Sequence, residues 1–186
     1  MIDPAFQALI SIACSILFFL AGAHKLSDRA QFQSIVRDYR LLPPSAVKVF
    51  AIGIGFTEVC LGTGWLIAQT ALVPLLSALV ISLYVIAISV NLFRGRVYID
   101  CGCSFSSFAG TKDSINQRLS FGLVLRNFAL IVVMLISILP PSERALGIAD
   151  YVNVFIAMIS ILFVYLATNQ LLINRGAIDS WRKSSG

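Results

Sequence analysis

Cys101 and Cys103 are separated by a single glycine in Arg94-Gly-Arg96-Val-Tyr-Ile-Asp100-Cys-Gly-Cys103, just beyond a long apolar run. Two thiols this close can cycle between dithiol and disulfide, or supply two soft ligands to Cu(I) or Zn(II). A disulfide needs α-carbons about 4.4–6.8 Å apart. Cysteines at i and i+2 reach that only in a bent backbone, which Gly102 permits. So tight a ring is strained, easily reduced and strongly oxidising, which suits a relay better than a permanent staple. Arg94 and Arg96 favour the thiolate and Asp100 opposes it. Metal or thiol sensing and a structurally incidental pair stay open beside the redox reading. No second Cys/His pair completes a metal site, so no metal is assigned.

A second constellation lies inside the apolar runs. Glu58, Arg126 and Asn127 are polar groups where lipid is the expected solvent. Charges there are costly and normally turn inward to find partners. Measured from the basic flanks Lys48 and Arg118, Glu58 and Arg126 lie about 15 and 12 Å deep at the helical rise. One layer can therefore hold both, with Asn127 beside them. The pairing predicts a buried Glu58–Arg126 ion pair that fixes helix register. A functional role, positioning a quinone or tuning thiol protonation, is the alternative, although no motif marks a quinone site. His24-Lys25 at the end of the first run is ambiguous: the histidine reads as an interfacial anchor or helix-end cation, with a proton shuttle as the alternative. Cys14 and Cys60 read as small packing residues. Gly53, Gly55, Gly62 and Gly64 permit close helix approach.

The elements that must carry these residues follow from composition. Of 186 residues, 58% are hydrophobic and 12% charged, and the mean hydropathy is +0.88. A soluble domain of this size has no interior for so much apolar side chain, so the chain is an integral membrane protein. The net charge of +5 sits in short loops, which argues against nucleic acid as a partner and for the lipid bilayer. Five runs are long enough for a hydrocarbon core of about 30 Å: 5–23, 47–68, 71–93, 119–139 and 151–173. They are continuously apolar rather than alternating, which predicts helices and not a barrel. The first lacks a basic leader and exceeds a signal core, so it reads as a retained span. Pro4, Pro43-Pro44, Pro74 and Pro140-Pro141 fall where helices begin or end. Between the first two spans, Phe32, Ile35, Val36 and Tyr39 recur at helical spacing among charges, predicting an amphipathic interfacial helix, with a solvated connector as the alternative. The expected fold is all-α, one domain over residues 1–186, with about five transmembrane helices.

Charge sets the expected topology. Lys25, Arg29, Arg37, Arg40, Lys48, Arg94, Arg96, Lys112, Arg118, Arg175, Arg182 and Lys183 gather on one side, and Arg144 stands on the other. The positive-inside rule puts the N-terminus outside, and the C-terminus and Cys segment in the cytoplasm.

The ordered set His24-Lys25-Leu26, Tyr39-Arg-Leu-Leu-Pro43, Glu58 in a glycine-rich span, Asn91-Leu-Phe-Arg-Gly-Arg96, Ile99-Asp-Cys-Gly-Cys103 and Leu125-Arg126-Asn127 resembles the MauE family. That family belongs to the broader MauE/DoxX-like membrane group. The resemblance implies a bacterial inner-membrane protein that supports production of methylamine dehydrogenase, a periplasmic quinoprotein with a disulfide-rich small (β) subunit. It further implies a thioredoxin-like MauD-type partner, and processing, export or disulfide formation of that subunit. Cys101 and Cys103 match the family's paired cysteines, although Ser104-Phe105 stands where Phe-Gly is expected. A non-redox scaffold or export partner is the competing reading, and a metal or small-solute transporter the third. A periplasmic client sits awkwardly with a cytoplasmic Cys segment, because disulfides form in oxidising compartments.

Overall fold

A computed structural model describes residues 2–68, 70–95, 121–164 and 167. Cys101, Cys103 and Asp100 lie outside the described residues. Those described form six helices: α1 (Pro4–Ser27), α2 (Arg29–Asp38), α3 (Pro44–Ile67), α4 (Leu72–Phe93), α5 (Phe121–Ile136) and α6 (Ile148–Val164). The expected all-helical fold is correct. Among the described residues, three helices are long and apolar enough to cross a membrane: α1 and α3 at 24 residues each, and α4 at 22. At the helical rise these span about 33–36 Å. α5 and α6 are shorter apolar helices.

Proline and capping chemistry explain the boundaries. Pro44 occupies the first turn of α3, where its missing N–H costs nothing, and the extended Pro43 precedes it. Asp28 caps α2, its carboxylate accepting from the Gln31 N–H at 3.2 Å. α2 is the amphipathic helix that the Phe32/Ile35/Val36/Tyr39 spacing predicts, with Phe32 and Tyr39 buried. α4 ends where Gly95 takes φ +71°, and its N–H donates to the Leu92 carbonyl at 3.0 Å. That left-handed turn suits glycine.

The chain divides into two compact units, Ile10–Pro140 with Met1–Ile2, and Pro141–Gly186 with Asp3–Leu9. The first has a core that includes Phe18, Phe32, Ile54, Trp65, Ile81 and Met134. α3 and α4 run antiparallel, joined by the Trp65 indole N–H donating to Ser77 Oγ at 2.9 Å. In the second unit Arg144 pairs with Asp150 at 2.5 Å and approaches Asp3 at 3.7 Å.

Candidate functional site

α1 and α3 meet backbone to backbone, and glycine is the reason. A Cβ on Gly22 would lie 2.7 Å from the Gly55 carbonyl oxygen and 2.8 Å from the Val59 nitrogen. One on Gly62 would lie 2.7 Å from the Phe19 nitrogen. Small residues let helices approach closely in lipid, where packing and hydrogen bonds replace the hydrophobic effect. Ser15 Oγ fastens the contact by donating to the Gly62 carbonyl at 2.7 Å. Gly55 and Gly62 thus act as the glycine-rich span predicts. Gly53 faces open space, and Gly64 only touches Val73.

This antiparallel seam brings Lys25, near the end of α1, opposite Glu58 on α3. Lys25 Nζ donates to Glu58 Oε1 at 2.5 Å and to Oε2 at 2.7 Å. It also donates to the Tyr84 hydroxyl of α4 at 2.9 Å. Tyr84 in turn donates to Glu58 Oε1 at 2.6 Å. The ring is closed: three ammonium hydrogens find three acceptors. Lys25 is 4% exposed and Glu58 1%. The ammonium also lies 4.7 Å from the Tyr84 ring centre and 5.2 Å from that of Phe32. Cation–π contacts of this kind contribute about 0.5–2 kcal/mol each, more when desolvated. Through Phe32, α2 is seated on the same charge, so four helices converge on one nitrogen.

The expected Glu58–Arg126 pair does not form. Lys25 takes both Glu58 oxygens, and Arg126 lies on the exposed side of α5. The depth estimate is sound, but depth does not fix direction around a helix. On α5 the buried positions are Asn127, Met134 and, just past its end, Ser137. That seven-residue stripe leaves Arg126 about 100° off the buried face. Asn127 is therefore inside, as its grouping with Glu58 suggests, while Arg126 is outside.

Lys25 is likewise no interfacial cation. Its position is legible in retrospect, because Ile10, Cys14, Phe18, Gly22 and Lys25 form one buried stripe of α1. Tyr84 and Phe32 carry no comparable signal, since an aromatic in an apolar run normally reads as packing. Cys14 is buried as expected of a packing residue, whereas Cys60 is exposed on α3. Asn91 is fully buried near the end of α4. Its amide donates to the Ala87 carbonyl at 3.1 Å, and its Oδ1 has no partner among the described residues.

Chemically, the Lys25–Glu58–Tyr84 ring locks a charge pair in an apolar bundle. It leaves no ammonium hydrogen for a ligand. Such a pair gains specificity rather than net stability, because desolvation offsets much of the Coulomb attraction.

Relatives place the chain. The family profile described as methylamine utilisation protein MauE matches residues 3–140. The methylamine utilization protein MauE of Paracoccus versutus is 32% identical over 171 residues, 91% of this chain and 88% of the relative. That of Paracoccus denitrificans is 27% identical over 173 residues, 92% and 89% of the two chains. The Methylorubrum extorquens protein of the same name is 29% identical over 181 residues, 96% and 94%. No solved structure matches the chain significantly. With its apolar helices and a match across most of its length, the chain belongs to the MauE family of methylamine utilisation membrane proteins.

Proposed function

We propose that this protein is an inner-membrane accessory factor for cysteine redox maturation of the methylamine dehydrogenase small subunit. The observation that carries the reading is membership of the MauE family over residues 3–140, a range that includes Cys101 and Cys103. In this scheme the Cys101–Cys103 disulfide is attacked by a client thiolate, giving a mixed disulfide. The client's second thiolate displaces it, leaving a client disulfide and a Cys101/Cys103 dithiol. The two electrons and two protons then pass, by a second thiol–disulfide exchange, to the disulfide form of a thioredoxin-like partner, which leaves as a dithiol and restores the Cys101–Cys103 disulfide. The attacked sulfur is the one whose leaving thiolate has the lower pKa and better access. Asp100 tunes that choice. Glu58, with Lys25 and Tyr84, holds the bundle from which the thiol segment departs, and Asn127 packs in the same bundle.

We also read α5 and α6 as membrane-crossing, giving five spans with α2 at the interface. The N-terminus is then outside and the C-terminus cytoplasmic. Sequestering Lys25 against Glu58 removes one cation from the positive side and leaves the asymmetry intact. A C-terminal phosphatase fusion tests the orientation: an inactive fusion supports it and an active one overturns it. Cys101→Ser or Cys103→Ser should abolish accumulation of the disulfide-bonded dehydrogenase small subunit. Normal, fully oxidised subunit in both variants would rule the scheme out.

A second reading is a non-redox scaffold that docks the partner. It draws support from α2, an exposed-faced amphipathic helix pinned to the bundle through Phe32 and Lys25. Tolerance of serine at both thiols, combined with loss of function on disrupting α2, would favour it.

A further inference from the structure

Arg126 is a full charge on an apolar helix, and no partner for it exists among the described residues. It is exposed, between Leu125 at 60% and Phe128 at 59% exposure. Glu58, the acid at its depth, is consumed by Lys25. A guanidinium does not neutralise itself by losing a proton, and its place on the exposed side of α5 turns it toward the surroundings of the bundle rather than toward Glu58 inside it.

Geometry indicates where that charge lies. Ile88 near the end of α4 packs in one cluster with Val124 near the start of α5. The two helices therefore share an end, that of Arg94 on α4 and Phe121 on α5. Arg126 lies five residues beyond Phe121, about 7.5 Å along the axis. Helical side chains lean toward the helix N-terminus, which here is that same end. A long cationic side chain with this lean carries its head toward the nearer headgroups while its stem stays in the hydrocarbon. Arg94, exposed at the C-cap of α4, adds a second cation at that end.

Resting on the reading of α5 as membrane-crossing, we infer that Arg126 is a binding site for an anionic phospholipid of the leaflet at the end shared by α4 and α5. The guanidinium fork takes the phosphate diester in a bidentate, charge-assisted contact. The acyl chains lie along Leu125 and Phe128. A carboxylate on a partner's membrane helix fits less well, because it would have to be carried into lipid, whereas phosphates already line the interface toward which Arg126 leans.

Native mass spectrometry of the full chain, released from nanodiscs of equal phosphatidylglycerol and phosphatidylcholine, reads the bound lipid directly. The wild type should retain phosphatidylglycerol over phosphatidylcholine by about fivefold, the preference expected for one interfacial cation. Arg126→Leu and Arg126→Gln should both lose that preference at unchanged helix content, and Arg126→Lys should keep part of it. An equal preference in the wild type and both neutral variants would overturn the assignment. So would a photo-crosslinker at Leu125 that captures an acidic membrane protein in cells instead of phospholipid.

Discussion

Replacing Glu58 with leucine strands an ammonium that is 4% exposed. Two of its three hydrogen bonds, at 2.5 and 2.7 Å, disappear together with the countercharge. Tyr84 remains as one acceptor, and the Phe32 and Tyr84 rings return about 0.5–2 kcal/mol each. Breaking a buried pair from one side typically costs about 3–5 kcal/mol, and the rings hold the loss toward the lower limit, about 3 kcal/mol. Lys25→Met should cost a similar amount by stranding the carboxylate, less the hydrogen bond that Tyr84 still donates to it. Removing both charges in Lys25→Met/Glu58→Leu should bring stability back to within about 1 kcal/mol of wild type, because hydrophobic replacement of a buried pair is often neutral. The assay is equilibrium unfolding of the full chain from detergent micelles with SDS, followed by far-UV circular dichroism. The coupling energy from this double-mutant cycle should reach about 4–6 kcal/mol, well beyond the roughly 0.5 kcal/mol within which independent sites add. Single variants that each lose under about 1 kcal/mol and add independently would refute the cluster as the lock of the bundle.

The glycine seam makes a sharper steric prediction. Gly22→Ala and Gly62→Ala press a methyl against backbone atoms 2.7 Å away, so each should destabilise by about 1–3 kcal/mol or more in the same assay. Gly53→Ala, with open space around it, should instead be neutral or gain up to about 1 kcal/mol of helix propensity. In a Cys101→Ser/Cys103→Ser background, a membrane-permeant maleimide should label exposed Cys60 and spare buried Cys14. Equal labelling of both would contradict the packing of α1. Asp150, in the first turn of α6 and ahead of the apolar run 151–173, accepts from the Gly147 N–H at 2.8 Å and sits beside Arg144. The Gly147 bond first, and the guanidinium after it, hold its carboxyl below the ordinary 3.8. A carboxyl more acidic when folded stabilises fully above its unfolded value, and that contribution drains away as pH falls through the folded one. Limited proteolysis around Pro140–Gly147 should therefore accelerate on acidification below about pH 4, and Asp150→Asn should remove the acid dependence.

How much of this is legible in the amino-acid sequence depends on the kind of signal. Apolar runs, proline punctuation and the Phe32/Ile35/Val36/Tyr39 spacing report local structure directly, and α1 to α4 stand where expected, while the described α5 and α6 cover only part of the last two runs. Pairing inside the bundle is a tertiary property. Arg126 and Glu58 share a depth, and one residue of rotation on α5 separates buried Asn127 from exposed Arg126. Lys25 escapes notice because a cation at the end of an apolar run resembles an interfacial anchor. It is buried because α1 continues to Ser27 and α2 then folds back so that Phe32 covers the ammonium. Gly22 escapes for a related reason. A single glycine acquires meaning only when a partner backbone is placed within 3 Å of its missing Cβ.

The redox state of the Cys101/Cys103 pair in living cells tests the maturation scheme head-on. Cells growing on methylamine can be acid-quenched and alkylated with a mass-tagging maleimide, in the presence and absence of the thioredoxin-like partner. The redox account predicts a pair recovered partly as disulfide, shifting toward dithiol when the partner is removed. A pair that stays fully reduced in both strains, beside a normally oxidised dehydrogenase small subunit, would contradict it.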